Sequence, residues 1–126
     1  MTAKEAKKIL ESYFSLSVKI ECCDHVICDV IGRNWNISPS VRAFYEKQLL
    51  DKSAYIREQE QIRNTIERIP DAEHRTLLRL RFIERKRWPE IAEALWLSDA
   101  SCAIRKARKT YGLFAEQWEA VAQKEQ

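Results

Sequence analysis

An all-α fold is predicted by three features of the sequence. Only 2 glycines and 3 prolines occur in 126 residues, too few for the turns of an all-β chain of this length. Apolar residues recur at spacings of three and four over long stretches. Charged residues make up 33% of the chain, and no apolar run approaches 18 residues. That run length argues against a membrane-spanning helix. Glycines eighty residues apart also exclude a dinucleotide fingerprint or a phosphate-binding loop. The start, Met1-Thr2-Ala3-Lys4-Glu5, leads into an amphipathic pattern without a secretory apolar core, so an intracellular protein is expected.

The first element is predicted from Ala3 to about Ile31. Ala6, Ile9, Tyr13, Leu16, Ile20, Cys23, Ile27 and Val30 form a heptad-like seam of the coiled-coil kind. Phe14, Val18, Cys22 and Val26 widen the stripe, and Gly32 is the expected stop. After a connection over 33–37, Ser38-Pro39 reads as an N-cap followed by proline at the first helical position. The helical pattern then runs from Val41 to Ile69. Gln48, Lys52 and Gln59 interrupt its apolar seam, which leaves open one helix or two with a kink between Leu50 and Ser53. Uninterrupted arms of about 30 residues each would be about 45 Å long. Residues 1–69 are therefore expected to form a helical hairpin for self-association or partner binding.

Pro70 separates this region from a second, at 70–126. Asp71 is the expected N-cap of a helix from Ala72 to about Ile83. A basic turn, Glu84-Arg85-Lys86-Arg87, precedes a short helix from Trp88 to Leu95 with Pro89 near its start. Ser98 is the expected cap of a helix from Asp99 to about Tyr111, which Gly112 is expected to break. A last amphipathic helix is predicted over 113–123.

Net charge is only +3, but it is unevenly spread. Residues 1–69 are close to neutral, whereas Arg75 to Lys109 holds ten basic and four acidic residues, a local excess of six. A basic block of this kind is a candidate phosphate-contacting surface; its alternative is a solvated helix face.

The block coincides with a helix-turn-helix pattern. Ile91 and Leu95 are expected to face inward, Ala92 to allow a close helix crossing, Leu97 to plug the turn and Ser98 to satisfy free amides of the next helix. A capped N-terminus beside a basic turn is what such a motif inserts into the major groove. The competing reading is an ordinary helical hairpin in a bundle.

The stretch LLRLRFIERKRWPEIAEALWLS resembles the fourth region of bacterial sigma factors. Together with AKEAKKILESYFSL and DKSAYIREQEQIRNTIERIPD, it makes most of the chain similar to phage late-transcription regulators of the RinA and ArpU type. The resemblance implies an activator of phage or prophage genes in the cytoplasm of a bacterial host, with double-stranded DNA and RNA polymerase as partners and a homodimer as a further one. It implies phosphate contacts from Arg85, Lys86 and Arg87 in the turn and from Arg105, Lys106, Arg108 and Lys109 in the recognition helix. Ser98 matches the cap, and Asp99, Ala100, Ser101 and Ala103 match base-facing positions. Two departures stand out. Trp96 occupies the usual glycine of the turn, where a bulky residue at positive φ is strained, so a longer or differently shaped turn is expected. Ile104 and Arg105 are offset by one from the usual inward and outward order.

Two rival functions remain: a DNA-packaging subunit of the small-terminase kind, and a helical interaction module without DNA binding. No catalytic residue, cofactor or metal is expected. His25 and His74 are far apart, and His74 reads as an exposed first-turn residue. Cys22, His25 and Cys28 share one helical face, but a single helix supplies an incomplete metal shell. Cys23 and Cys102 read as small apolar packing residues. Trp88 is expected in the core; Trp96 and Trp35 are expected to be exposed.

Overall fold

The structure, a computed structural model, describes residues 1–33 and 38–124. It is all-α. Helix α1 spans Ala3–Arg33 and α2 spans Pro39–Glu67. Helix α3 covers Ala72–Leu78 and continues into a π-helical turn over Arg79–Ile83. Helices α4 and α5 cover Trp88–Ala94 and Ala100–Lys124. Trp35 lies outside the described residues. Helix α1 includes Gly32, its expected stop, and is described through Arg33.

The predicted caps at Ser38 and Asp71 form. The Val41 N–H donates to Ser38 Oγ at 3.3 Å, and Asp71 Oδ1 accepts from the Glu73 N–H at 2.9 Å. The latter bond holds the Asp71 carboxyl below its usual pKa. Helix α2 is one continuous element rather than two.

Two compact units divide the chain elsewhere than between residues 69 and 70. One contains Phe14–Glu60; the other combines Met1–Tyr13 with Gln61–Gln126. In the Phe14–Glu60 unit, α1 and α2 form an antiparallel hairpin. Gln59 Nε2 donates to Ser17 Oγ at 2.7 Å, the Lys19 ammonium lies 5.4 Å from the Tyr55 ring centroid, and Lys52 pairs with Asp24 at 2.5 Å. Rising numbers on one helix meet falling numbers on the other. These contacts also explain two polar breaks in the α2 seam: Lys52 and Gln59 make directed bonds across the hairpin. Leu16 and Cys23, both seam positions, are buried.

In the second unit the first turns of α1 and the last turns of α2 contribute Ala6, Leu10, Tyr13, Ile62, Ile66 and Ile69 to the buried core. Each fully buried leucine or isoleucine contributes roughly 1.5–3 kcal/mol. Arg75 fixes the turn between α2 and α3 by donating to the Ile69 and Pro70 carbonyls at 2.5 and 2.8 Å. Arg79 Nε donates to Glu67 Oε1 at 2.8 Å.

Gly112 does not break a helix: α5 runs through it without interruption. The reason is the stripe Ala103, Ala107, Thr110, Tyr111, Phe114 and Ala115, buried on both sides of the glycine. Burial of that stripe outweighs the roughly 1 kcal/mol penalty of one glycine in a helix. Phe114 stacks on Trp118 with ring centroids 5.7 Å apart.

Candidate nucleic-acid interface

Helices α3, α4 and α5 make the expected helix-turn-helix bundle, and local chemistry sets its two tight turns. The Glu84 N–H donates to the Arg79 carbonyl at 2.9 Å, five residues back, and the Lys86 N–H to the Leu80 carbonyl at 2.8 Å. The first of these bonds is the i→i+5 link that widens the end of the α3 segment into a π turn, and the second closes the chain back onto it. The chain leaves it through Arg85 at φ 59°. Phe82 is buried there, edge-on to Tyr111 at 6.0 Å. Arg81 braces the basic turn from behind: its Nη1 donates to the Lys86 carbonyl at 3.1 Å, and its guanidinium lies 4.5 Å from the Trp88 ring centroid. Trp88 is thus half-buried beneath a cation rather than a core residue as expected.

The second turn joins α4 to α5. The Leu97 N–H donates to the Ala92 carbonyl at 2.8 Å, and the Trp96 N–H to the Glu93 carbonyl at 3.2 Å. This pair of bonds is a Schellman closure. Trp96 occupies its left-handed position with φ 59°. The turn therefore keeps the tight form that glycine usually supplies, and the expectation of a longer or reshaped turn is not met. The strain is accepted instead, at roughly 1–2 kcal/mol. The Trp96 side chain is 94% exposed. Ile91 and Ala92 are buried as expected, while Leu95 and Leu97 are half-buried.

Helix α5 begins at Ala100, so its N-cap is Asp99 rather than Ser98. Asp99 Oδ1 accepts from the Cys102 N–H at 2.9 Å, which holds the Asp99 carboxyl below its usual pKa. An aspartate in this position satisfies a free amide and complements the positive helix terminus. Ser98 Oγ instead lies 3.0 Å from Cys102 Sγ, and Cys102 is half-buried.

The expected DNA-facing residues do not all share one surface. Ala103 is fully buried at 0% exposure, which removes it from the base-facing set. It lies on the same helical stripe as Ala107, facing the core. Lys106 Nζ pairs with Glu73 at 2.6 Å, so it ties α5 to α3. Ser98, Asp99 and Ser101 are exposed, and Ala100 is half-buried. Arg85, Lys86, Arg87, Arg105, Arg108 and Lys109 are exposed. Arg87 Nε pairs with Glu90 at 3.3 Å, and Arg105 reaches Cys102 Sγ at 3.2 Å. Among the described residues, Lys86, Arg108 and Lys109 make no ion pair within 4.0 Å. Helical spacing puts Ser101, Arg105 and Arg108 on the face opposite Ala103 and Ala107. The one-residue offset of Ile104 and Arg105 is thus the native arrangement, with Ile104 37% exposed.

His74 is buried between α3 and α5, not exposed. Its Nδ1 lies 2.6 Å from Thr110 Oγ1. Cys22 and Cys28 are exposed. Among the described residues no group of three or more His, Cys, Asp or Glu side chains is gathered in a way that could hold a metal ion. No helix among them is long and apolar enough to cross a membrane. Comparison of the chain with family models, curated proteins and solved structures finds no match.

Proposed function

We propose that this chain is a DNA-binding transcriptional regulator, an activator of late genes in a phage or prophage that acts at promoters with the host RNA polymerase. One observation carries the proposal. The capped N-terminus of α5 follows a Schellman turn, with exposed Ser98, Asp99 and Ser101 at its start and exposed Arg105 and Arg108 along its outer face. A helix presented in this way fits the major groove, with its first turn toward base edges and its cations toward phosphates. Lys86 and Arg87, at the start of α4, supply further phosphate contacts. The base-facing residues are short or acidic: Asp99 can accept from a cytosine amine, and no side chain here forms an arginine–guanine fork. Phosphate contacts therefore dominate affinity, and sequence preference is modest for one copy of the module. The hairpin supports association with a second copy or with polymerase, since Val18 is 43% and Leu50 71% exposed.

The test is protection of duplex DNA from upstream of phage late genes, together with transcription from the same DNA in vitro. A defined footprint and a raised transcript yield are expected. No protection at low salt and an unchanged yield would refute the proposal.

A further inference from the structure

The Phe14–Glu60 unit has a small core of its own. Of its described residues only Leu16 and Cys23 are buried. Helix α2 is buried only beyond the unit, at Ile62, Thr65 and Ile66. Helices draw most of their stability from packing an apolar face, and a second hairpin would complete a four-helix bundle. One face of the hairpin is open to such packing. It forms a groove of about 330 Å³, with Val18, Cys22 and Val26 on the α1 wall and Asp51 and Tyr55 on the α2 wall. Val18 is 43% exposed, and Cys22 is exposed. The three α1 positions are four residues apart, which places them on one side of the helix.

The groove is lined by one cation, Lys19, and one anion, Asp51. Elsewhere in the hairpin Lys52 and Asp24 pair with each other. Among the described residues neither Lys19 nor Asp51 has an ion-pair partner within 4.0 Å. Lys19 rests against the Tyr55 ring, and Asp51 is half-buried, where a carboxylate without a cation is costly. A partner surface of one sign would satisfy one of these charges and oppose the other. A second copy of the same face offers both signs. In a twofold dimer, a contact from Lys19 to Asp51 of the other copy is made twice.

We infer that the groove between α1 and α2 is a homodimer interface, in which two hairpins form a four-helix bundle and Lys19 of each copy pairs with Asp51 of the other. The inference deepens the reading of the hairpin as an association surface and involves no DNA contact. The Val18–Cys22–Val26 stripe supplies the apolar area that the second copy covers. The two charge pairs fix the register of the copies.

The test is the mass of the full chain in solution, by sedimentation over a range of concentrations without DNA. It compares the parent, Lys19→Glu, Asp51→Lys and an equimolar mixture of the two variants. The parent is expected to be a dimer. Each variant sets like charges against each other at both contacts and is expected to raise the dimer dissociation constant at least about tenfold. The mixture is expected to dimerise as the parent does, because a copy of one variant meets opposite charges on a copy of the other. A role of these residues within one chain could not be repaired by mixing. Cys22 gives a second reading that needs no substitution. Its alkylation should slow as the dimer forms, while Cys28, exposed and outside the groove, keeps its rate. A parent chain monomeric to about 100 µM, including one that associates only with polymerase, overturns the inference. So do variants that dimerise as the parent does, a mixture that stays monomeric, or a Cys22 rate indifferent to concentration. None of these outcomes bears on duplex binding by α5, and absence of duplex binding leaves this interface standing.

Discussion

His74 Nδ1 lies 2.6 Å from Thr110 Oγ1, a buried hydrogen bond that joins α3 to the middle of α5. The Thr110 hydroxyl donates to the Lys106 carbonyl at 2.9 Å. Its oxygen therefore receives the His74 Nδ1–H, which fixes the neutral tautomer. Burial lowers the His74 pKa below the ordinary histidine value. Asp71 and Glu73 oppose that shift, and Lys106 and Lys109 add to it. The folded state thus binds fewer protons than the unfolded state once pH falls toward the unfolded value of about 6.5. Stability is full above that pH and is lost as pH falls through it toward the lower folded value. Chemical denaturation at about pH 7.5 and about pH 5.5 should show a lower midpoint at the acidic pH. His74→Gln should reduce the difference.

The same bond gives a second expectation. Thr110→Val keeps the side-chain shape but leaves the His74 Nδ1–H unsatisfied, at a cost of roughly 1–3 kcal/mol. Equilibrium unfolding in urea measures it. A cost near zero would mean that the imidazole finds another acceptor and the pair does not hold α3 on α5.

Gly112→Ala tests the continuity of α5. A Cβ at this position meets no atom within 4 Å, and the residue is in mid-helix, so a gain of roughly 1 kcal/mol is expected. A loss in thermal or denaturant unfolding would restore the helix break that the sequence pattern implies.

The assignment of the α5 cap is equally exposed to test. Asp99→Ala should cost about 1 kcal/mol, and Ser98→Ala should cost much less, because Ser98 Oγ meets the Cys102 thiol rather than a helix amide. Equal losses at the two positions would show that the cap is shared.

What the sequence made legible followed from strong periodicity and local chemistry. The α1 seam, the Ser38 and Asp71 caps and the α3–α4–α5 order all depend on residues close together in the chain. The misplacements turn on which face of a helix is packed, which for His74 and Lys106 is set by residues distant in sequence. Gly112 reads as a break until the buried stripe on both sides is known. Ala103 reads as base-facing until Ala107, Thr110 and Tyr111 show which side of α5 is inward. His74 reads as exposed because nothing near it announces Thr110, 36 residues away. Lys106 belongs to the basic face by composition, yet its ammonium is held by Glu73. The Schellman turn through Trp96 was obscured for the opposite reason, a local rule favouring glycine that the structure overrides.

The most direct measurement is duplex binding by Arg105→Glu/Arg108→Glu beside the parent chain, followed by fluorescence anisotropy over a range of salt. Both side chains are on the exposed face of α5, and among the described residues neither is in an ion pair, unlike Lys106. The parent should bind duplex with an affinity that falls steeply with salt. The variant should keep its helicity, bind at least about tenfold more weakly at low salt, and show a salt slope shallower by about two. A parent chain that binds no duplex at low salt, or a folded variant that binds as the parent does, would contradict the assignment of this face to DNA.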